Sequence, residues 1–130
     1  MKTILVVDDD EDIVKLIGKR LIDAKYEVIN AFTGIEAIEK AKALKPDLII
    51  LDIMLPGMDG GEVEERLKED EQTKNIPIVF LSSLYTKDDE RSKGNCSGEN
   101  VIVGKPFEPE KLIEVIRGQL NAAKQQRYST

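Results

Sequence analysis

Three apolar runs, far apart in the sequence, each end in a charged residue that is suited to phosphate chemistry. They are Asp8 and Asp9 after run 4–7, Asp52 after run 48–51, and Lys105 after run 101–103. If these runs are parallel strands of one sheet, their charged ends meet at its carboxyl edge, where open α/β sheets bind ligands. The pattern predicts one charged site assembled from distant segments.

The chemistry of such a site follows from its charges. Two carboxylates about 4 Å apart repel by roughly 4 kcal/mol at an effective dielectric constant near 20, so a carboxylate cluster needs a cation or a proton. The chain has no histidine, and ligation by oxygen alone favours Mg²⁺ or Mn²⁺ over Zn²⁺. Asp52, in the centre, is suited to attack a phosphoryl group and form an aspartyl phosphate. Lys105 would neutralise charge on the transferring oxygens, and the Ser82 hydroxyl would donate to one of them.

The elements that position these residues can be predicted from the hydrophobic pattern. Short β-branched runs alternate with longer amphipathic stretches, which indicates βα units around a parallel sheet. The five predicted strands are 3–7, 27–31, 47–51, 78–81 and 101–103. The first, third and fourth are nearly continuous apolar runs, as expected when helices cover both faces of the sheet. Strand 27–31 alternates more and suits a sheet edge.

Apolar residues at helical spacing predict four helices between and after these strands. Their inward-facing positions are predicted to be Ile13, Leu16, Ile17 and Leu21; Ile35, Ile38 and Ala41; Val63 and Leu67; and Leu112, Ile113, Ile116 and Leu120. The crossover 88–100 has no Leu, Ile, Val, Met or aromatic residue to dock on the sheet. We expect it to be the least ordered crossover.

Size and composition exclude several classes of protein. A chain of 130 residues suits one domain with a hydrophobic core. Its net charge of −6 disfavours direct binding to nucleic acid or to anionic membranes. Cys96 is the only cysteine, so no intrachain disulfide is expected. With no signal-peptide pattern and no apolar run of membrane-spanning length, a cytoplasmic location is predicted.

Four segments together resemble the receiver domain of two-component response regulators. They are residues 4–10, 46–60, 77–83 and 105–107. The resemblance implies a flavodoxin-like, doubly wound, five-stranded parallel sheet in the order 2-1-3-4-5, with helices on both faces. It also implies phosphate transfer to Asp52 from a sensor histidine kinase or a histidine phosphotransfer protein. The signal would pass to a downstream effector protein, or to an effector domain outside this chain.

The resemblance also assigns roles to individual residues. Asp8 and Asp9 match the acidic metal pair, Asp52 the phosphoacceptor, and Met54 the residue whose backbone carbonyl completes the Mg²⁺ or Mn²⁺ ligands. Ser82 matches the switch hydroxyl, although Ser83 is a second candidate for that role. Lys105 matches the family lysine, and its bond to Pro106 is expected to be cis, which a following proline makes accessible. The side chains of Met54 and Met58 are expected to be packing residues.

Two features depart from the family pattern. One is the crossover 88–100, which is poor in apolar residues and corresponds to part of the signalling face in the family. The other is a single residue. The switch aromatic, three residues before the lysine, is Ile102 in this chain. Isoleucine has no hydroxyl and no flat ring to rotate, so we expect an output face that differs from the family norm. The receiver domain is predicted to span 1–121, followed by a polar tail or linker start at 122–130. The domain is not expected to be an enzyme beyond promoting its own phosphorylation and dephosphorylation.

Other interpretations of these residues remain open at this point. The acidic run 8–12 also suits the cap of a helix, since negative charge stabilises a helix N-terminus. A receiver-like interaction module that signals without phosphorylation is the main alternative function. A small Mg²⁺-dependent phosphatase with an aspartyl nucleophile is a more remote one, since such enzymes place the nucleophile after the first strand. A flavodoxin-like cofactor binder is disfavoured because an Asp-rich first loop repels phosphate.

Overall fold

The computed structural model describes residues 1–82, 96–97, 100–104 and 107–128, which form one sheet flanked by helices. In chain order the elements are β1 (Thr3–Val7), α1 (Glu11–Asp23), β2 (Glu27–Ala31), α2 (Gly34–Leu44), β3 (Leu48–Asp52), α3 (Gly60–Lys68), β4 (Ile78–Ser82), β5 (Cys96–Ser97), β6 (Asn100–Gly104) and α4 (Pro109–Tyr128).

The sheet has the order β2-β1-β3-β4-β6-β5. Its first five members pair in parallel. The predicted five-stranded parallel sheet in the order 2-1-3-4-5 is therefore confirmed, with β6 as its fifth strand and β2 at one edge as expected. The two-residue β5 adds an antiparallel pairing to β6 that was not predicted.

Helices cover both faces of the sheet, and alternate strand residues contribute to two separate cores. On one face, α2 and α3 pack on residues such as Leu5, Ile49 and Phe80. On the other face, α1 and α4 pack on residues such as Ile4 and Ile50. All five residues of β3 are buried, because this central strand has neighbours on both sides and helices on both faces. The doubly wound architecture is confirmed.

The helices begin at polar caps that the sequence supplies. The Asp10 side chain accepts from the backbone N–H groups of Asp12 and Ile13 at the start of α1, so the acidic run does cap this helix. Thr33 caps α2 in the same way, and Asp59 caps α3. Such caps satisfy N–H groups that have no partner within the helix.

The inward-facing positions were predicted correctly for α3 and only in part for α1 and α2. Val63 and Leu67 are buried as expected.

Leu16 on α1 and Ile35 on α2, however, are 46% and 61% exposed, so their predicted packing is wrong. The buried positions next to them are Val14, Ile17 and Gly18 on α1 and Ala37 on α2. The predictions for Ile17, Leu21 and Ala41 are confirmed, since all three are buried. On α4, Leu112 and Ile116 are buried, and Ile113 and Leu120 are partly buried.

Several predictions concern residues outside the described ranges. They are the disorder of most of the crossover 88–100, the role of Ser83, and the position of Lys105 and its bond to Pro106. The predicted domain boundary at 121 falls within α4, which continues to Tyr128. No helix in the described part of the chain is long and apolar enough to cross a membrane.

Candidate functional site

The site is built where β1 and β3 end side by side at the carboxyl edge of the sheet. Val7 of β1 pairs in register with Leu51 of β3, so the next residues of the two strands, Asp8 and Asp52, emerge as neighbours. This adjacency follows from the parallel pairing of two strands about 45 residues apart in a doubly wound topology.

Asp8, Asp9 and Asp52 come together as predicted. One carboxylate oxygen from each lies within 4.8 Å of the others. Asp8 is fully buried and Asp52 is only 3% exposed, whereas Asp9 is exposed. The cluster therefore has two buried carboxylates and one that faces solvent. A cation or a phosphoryl group can approach from the solvent side.

Backbone N–H groups hold the two buried carboxylates in fixed orientations. The N–H of Asp10 donates to Asp8 Oδ1 over 3.0 Å, and the N–H of Met54 donates to Asp52 Oδ1 over 3.1 Å. Both bonds link a side chain to the backbone two residues later, the Asx-turn geometry that aspartate favours. Among the described residues, every buried side-chain nitrogen or oxygen has a hydrogen-bond partner. The buried carboxylates are therefore compensated by hydrogen bonds.

Ser82 extends the same edge one strand further. Asp52 pairs with Leu81 of β4, so Ser82 is the next residue beyond that pair, and it is 5% exposed. Ser82 itself pairs with Gly104, the last residue of β6. The predicted site residue Lys105 lies outside the described residues.

The structure separates the two proposed roles of Met54. Its backbone N–H orients Asp52, as described above, and its position two residues after Asp52 is compatible with the carbonyl role that the resemblance implies. Its side chain, however, is 55% exposed, so the expectation that it packs is wrong. Met58 does pack against the core under α2 and α3.

Two contributors to the site were missed by the sequence analysis. One is the N–H of Asp10, which orients Asp8. The other is Gly60, on which a Cβ would lie 2.9 Å from the backbone carbonyl oxygen of Asp52. The paired glycines 60 and 61 after Asp59 were the available signal, since close backbone approach is one reason for a glycine.

The comparisons with known proteins identify the family of this chain. The family model of the response regulator receiver domain matches residues 4–117. The chain therefore belongs to the response regulator receiver domain family, as its sequence motifs predicted.

Individual relatives agree with this assignment. The polar-differentiation response regulator DivK of Brucella ovis is 34% identical over 124 residues, which cover 94% of this chain and 98% of DivK. Hybrid signal transduction histidine kinase D of Dictyostelium discoideum is 39% identical over 127 residues, which cover 96% of this chain. This chain spans only 8% of the length of that kinase.

A solved structure supports the fold directly. The chemotaxis protein CheY4 of Vibrio cholerae superposes with a TM-score of 0.77 at 32% identity, covering 90% of this chain and 97% of CheY4. The chain is thus a receiver domain of the two-component type, and its relatives include both a response regulator and a hybrid histidine kinase.

Proposed function

We propose that this domain accepts a phosphoryl group on Asp52 from a sensor histidine kinase or a histidine phosphotransfer protein, with the help of Mg²⁺. The observation that supports it best is the cluster of Asp8, Asp9 and Asp52, whose carboxylate oxygens lie within 4.8 Å of one another. Asp52 is buried and is the member of the cluster that ends the central strand β3. Asp52 lies at the topological switch point, where the order of the strands reverses. Doubly wound sheets bind their ligands at this point.

The donor set fits a hard divalent cation. It consists of three carboxylates, and the chain has no histidine that would favour Zn²⁺. Asp8, Asp9 and Asp52 would hold the ion, and the carbonyl of Met54 is the fourth protein ligand that the family resemblance implies. Mg²⁺, or Mn²⁺ in its place, supplies positive charge that offsets the carboxylates and the incoming phosphate oxygens.

In the transfer step a carboxylate oxygen of Asp52 forms a bond to phosphorus while the bond from phosphorus to the donor histidine nitrogen breaks. The nitrogen keeps that electron pair and takes up a proton. The N–H of Met54 fixes the orientation of the attacking carboxylate through its bond to Oδ1. Such positioning is the main contribution a protein makes to phosphoryl transfer. Ser82 and Lys105 would bind the transferred phosphoryl oxygens.

The output of the phosphorylated domain is proposed to differ from the family norm at Ile102. This residue pairs with Phe80 of β4 and packs, partly buried, against the core under α2 and α3. A β-branched side chain has few χ1 rotamers, so Ile102 would transmit a movement of Ser82 through packing and not by ring rotation. The receiving partner is an effector protein or an effector domain outside this chain.

We further propose that the domain is not an enzyme that turns over a separate substrate, and that it functions in the cytoplasm. The acceptor chemistry on Asp52 is stoichiometric, one phosphoryl group for each chain, until the acyl phosphate is hydrolysed. Binding of nucleic acid or of a membrane by this domain is not part of the proposed function.

Intact mass spectrometry after incubation with acetyl phosphate and Mg²⁺ tests this function. We expect one labile phosphate adduct in the wild type and none in Asp52→Asn. Asp12→Asn, which removes an exposed carboxylate of the first turn of α1, is the matched control and should keep the adduct. A folded wild type without an adduct would favour the interaction module. Continuous release of phosphate from phosphomonoesters would favour the phosphatase.

A further inference from the structure

A groove of about 400 Å³ runs between α1 and the edge strand β2, on the sheet face that carries α1 and α4. Its floor is apolar and contains Val14, Gly18 and Val28. Ile22, which lies at the far end of the groove, is 61% exposed. This surface is separate from the acidic cluster, since none of its lining residues belongs to the cluster.

Two lysines of α1 line the groove beside this apolar floor. Lys15 and Lys19 are one helical turn apart, and Gly18 and Ile22 continue the same stripe, since residues three and four apart share a helix face. Neither lysine forms an ion pair with a described residue. In a chain of net charge −6, unpaired lysines beside an apolar floor complement a partner that is both acidic and apolar.

Gly18 keeps the floor of the groove open. Glycine inside a helix is less favourable than alanine because it loses more backbone freedom on folding. Here the fold does not require it, since a Cβ on Gly18 would meet only Val28 Cγ1, at 3.7 Å, which is an ordinary van der Waals contact. The missing side chain therefore adds depth to the groove without being needed for helix packing.

The form of the occupant follows from the edge strand. Lys40 Nζ donates to the backbone carbonyl of Asn30 in β2. This hydrogen bond occupies an acceptor that an added strand would use. A helix needs no such backbone acceptors and recognises a groove through side chains at helical spacing. Asp23 lies at the end of the groove opposite Lys15, so the two ends differ in charge.

We propose that this groove binds an amphipathic helix of a partner protein, with apolar side chains on the floor and carboxylates opposite Lys15 and Lys19. Asp23 sets the direction of the helix by favouring a basic residue at its own end. This binding site works independently of the phosphoacceptor, so its failure would leave the proposed function of Asp52 untouched.

An NMR titration of the full chain tests the site. The probe is a synthetic helical peptide with leucines along one face and glutamates beside them, and a second peptide carries lysines in place of the glutamates. We expect the acidic peptide to shift the amides of Gly18 and Val28, and Lys19→Glu to weaken its binding about tenfold. Gly18→Ala should weaken binding several-fold while it raises the melting temperature, a combination that a purely structural role would not produce.

Lys45→Glu is the matched control, because Lys45 is an exposed lysine at the C-terminal end of α2, on the opposite face of the sheet. It should leave the affinity for the acidic peptide unchanged. Equal binding of the basic peptide would overturn the site. Shifts at Gly18 and Val28 that appear on concentrating the protein alone would overturn it as well, since the occupant would then be a second copy of this chain.

Discussion

The backbone of Gly60 packs directly against that of Asp52. A Cβ on Gly60 would lie 2.9 Å from the carbonyl oxygen of Asp52 and 2.8 Å from the Cα of Ile53. The N–H of Gly60 donates to the carbonyl of Ile53 over 2.9 Å. Since Gly60 also begins α3, the start of this helix is attached to the end of the strand that carries Asp52, the proposed phosphoacceptor.

Gly60→Ala is expected to damage both stability and phosphorylation. The atoms that its Cβ would meet belong to the backbone and cannot rotate away, so the turn between β3 and α3 must shift. We expect a loss of about 1–3 kcal/mol, the usual cost of forcing an extra carbon into a packed site, measured by urea unfolding. The displaced Asp52 should also accept phosphate from acetyl phosphate more slowly, as followed by intact mass.

The neighbouring glycine supplies the control for this variant. A Cβ on Gly61 would contact only Asp59 Oδ1, at 3.4 Å, and alanine suits the first turn of a helix. Gly61→Ala should therefore match or exceed the stability of the wild type. If both alanine variants lost the same stability and the same phosphorylation rate, close packing at Gly60 would not be the cause.

Much of the site could be predicted from the sequence because its parts come from strand ends. Apolar runs such as 48–51 identify buried strands, and a doubly wound topology brings their carboxyl ends to one edge, so the meeting of Asp8, Asp9 and Asp52 needed no further information. Leu16 shows the limit of this reasoning. Helical periodicity allows an apolar stripe broader than the face that packs on the sheet. In α1, Ile17 and Leu21 are buried, whereas Leu16 is exposed.

The contribution of Gly60 depends on turn geometry, for which the glycine pair at 60 and 61 is only an indirect signal. Apolar periodicity reports which faces are buried and contains no information on how the chain turns between Ile53 and Asp59. The two-residue strand β5 was missed for a related reason, since Cys96 and Ser97 are too few to show alternation. Such details follow from tertiary context, which local patterns do not record.

Asp9→Asn should separate metal binding from folding. Removing one of the three clustered charges relieves repulsion, so the variant without Mg²⁺ should melt at a higher temperature. The gain should stay below about 1 kcal/mol because Asp9 is exposed and screened by solvent. The proposed binding of Mg²⁺ to the folded state should stabilise the wild type, and this increment should shrink in the variant. Melting curves with and without Mg²⁺ measure both effects.

The control for Asp9 is an acidic neighbour outside the cluster. Asp12 lies in the first turn of α1, where its negative charge stabilises the helix by interacting favourably with the helix dipole. Asp12→Asn should lower the melting temperature slightly and keep the full increment with Mg²⁺. An unchanged increment in Asp9→Asn would remove this residue from the set of metal ligands.

Glu36 should contribute to the pH dependence of stability. The hydrogen bond from the N–H of Phe32, and then the one from Lys40, lower the pKa of Glu36 below its ordinary value of 4.5. A carboxyl with a lowered folded-state pKa stabilises the fold above its unfolded pKa, and this stability is lost as the pH falls through the folded value. Glu36→Gln should therefore cost stability near neutral pH and little in acid, measured by urea unfolding at about pH 7 and about pH 3.

Glu39→Gln removes the same charge from an exposed position on the same helix and serves as the control. Glu39 forms no ion pair in the described part of the chain. The free energy of unfolding of this variant should therefore stay closer to that of the wild type at both pH values. Glu36 would have no special part in the acid sensitivity if the two glutamine variants differed from the wild type by the same amount at both values.

Ile102 should transmit phosphorylation weakly along β6. It pairs with Phe80 and shares the core with it, so a stiff β-branched side chain leaves little room for a two-position switch. With a phosphate mimic bound at Asp52, amide shifts in the wild type should be large at Ser82 and small at Ile102. Ile102→Tyr supplies a ring and a hydroxyl, and it should extend the shifts to Ile102 and Val103. If the wild type already shows shifts at Ile102 as large as those of the tyrosine variant, its output does not depend on the missing aromatic residue.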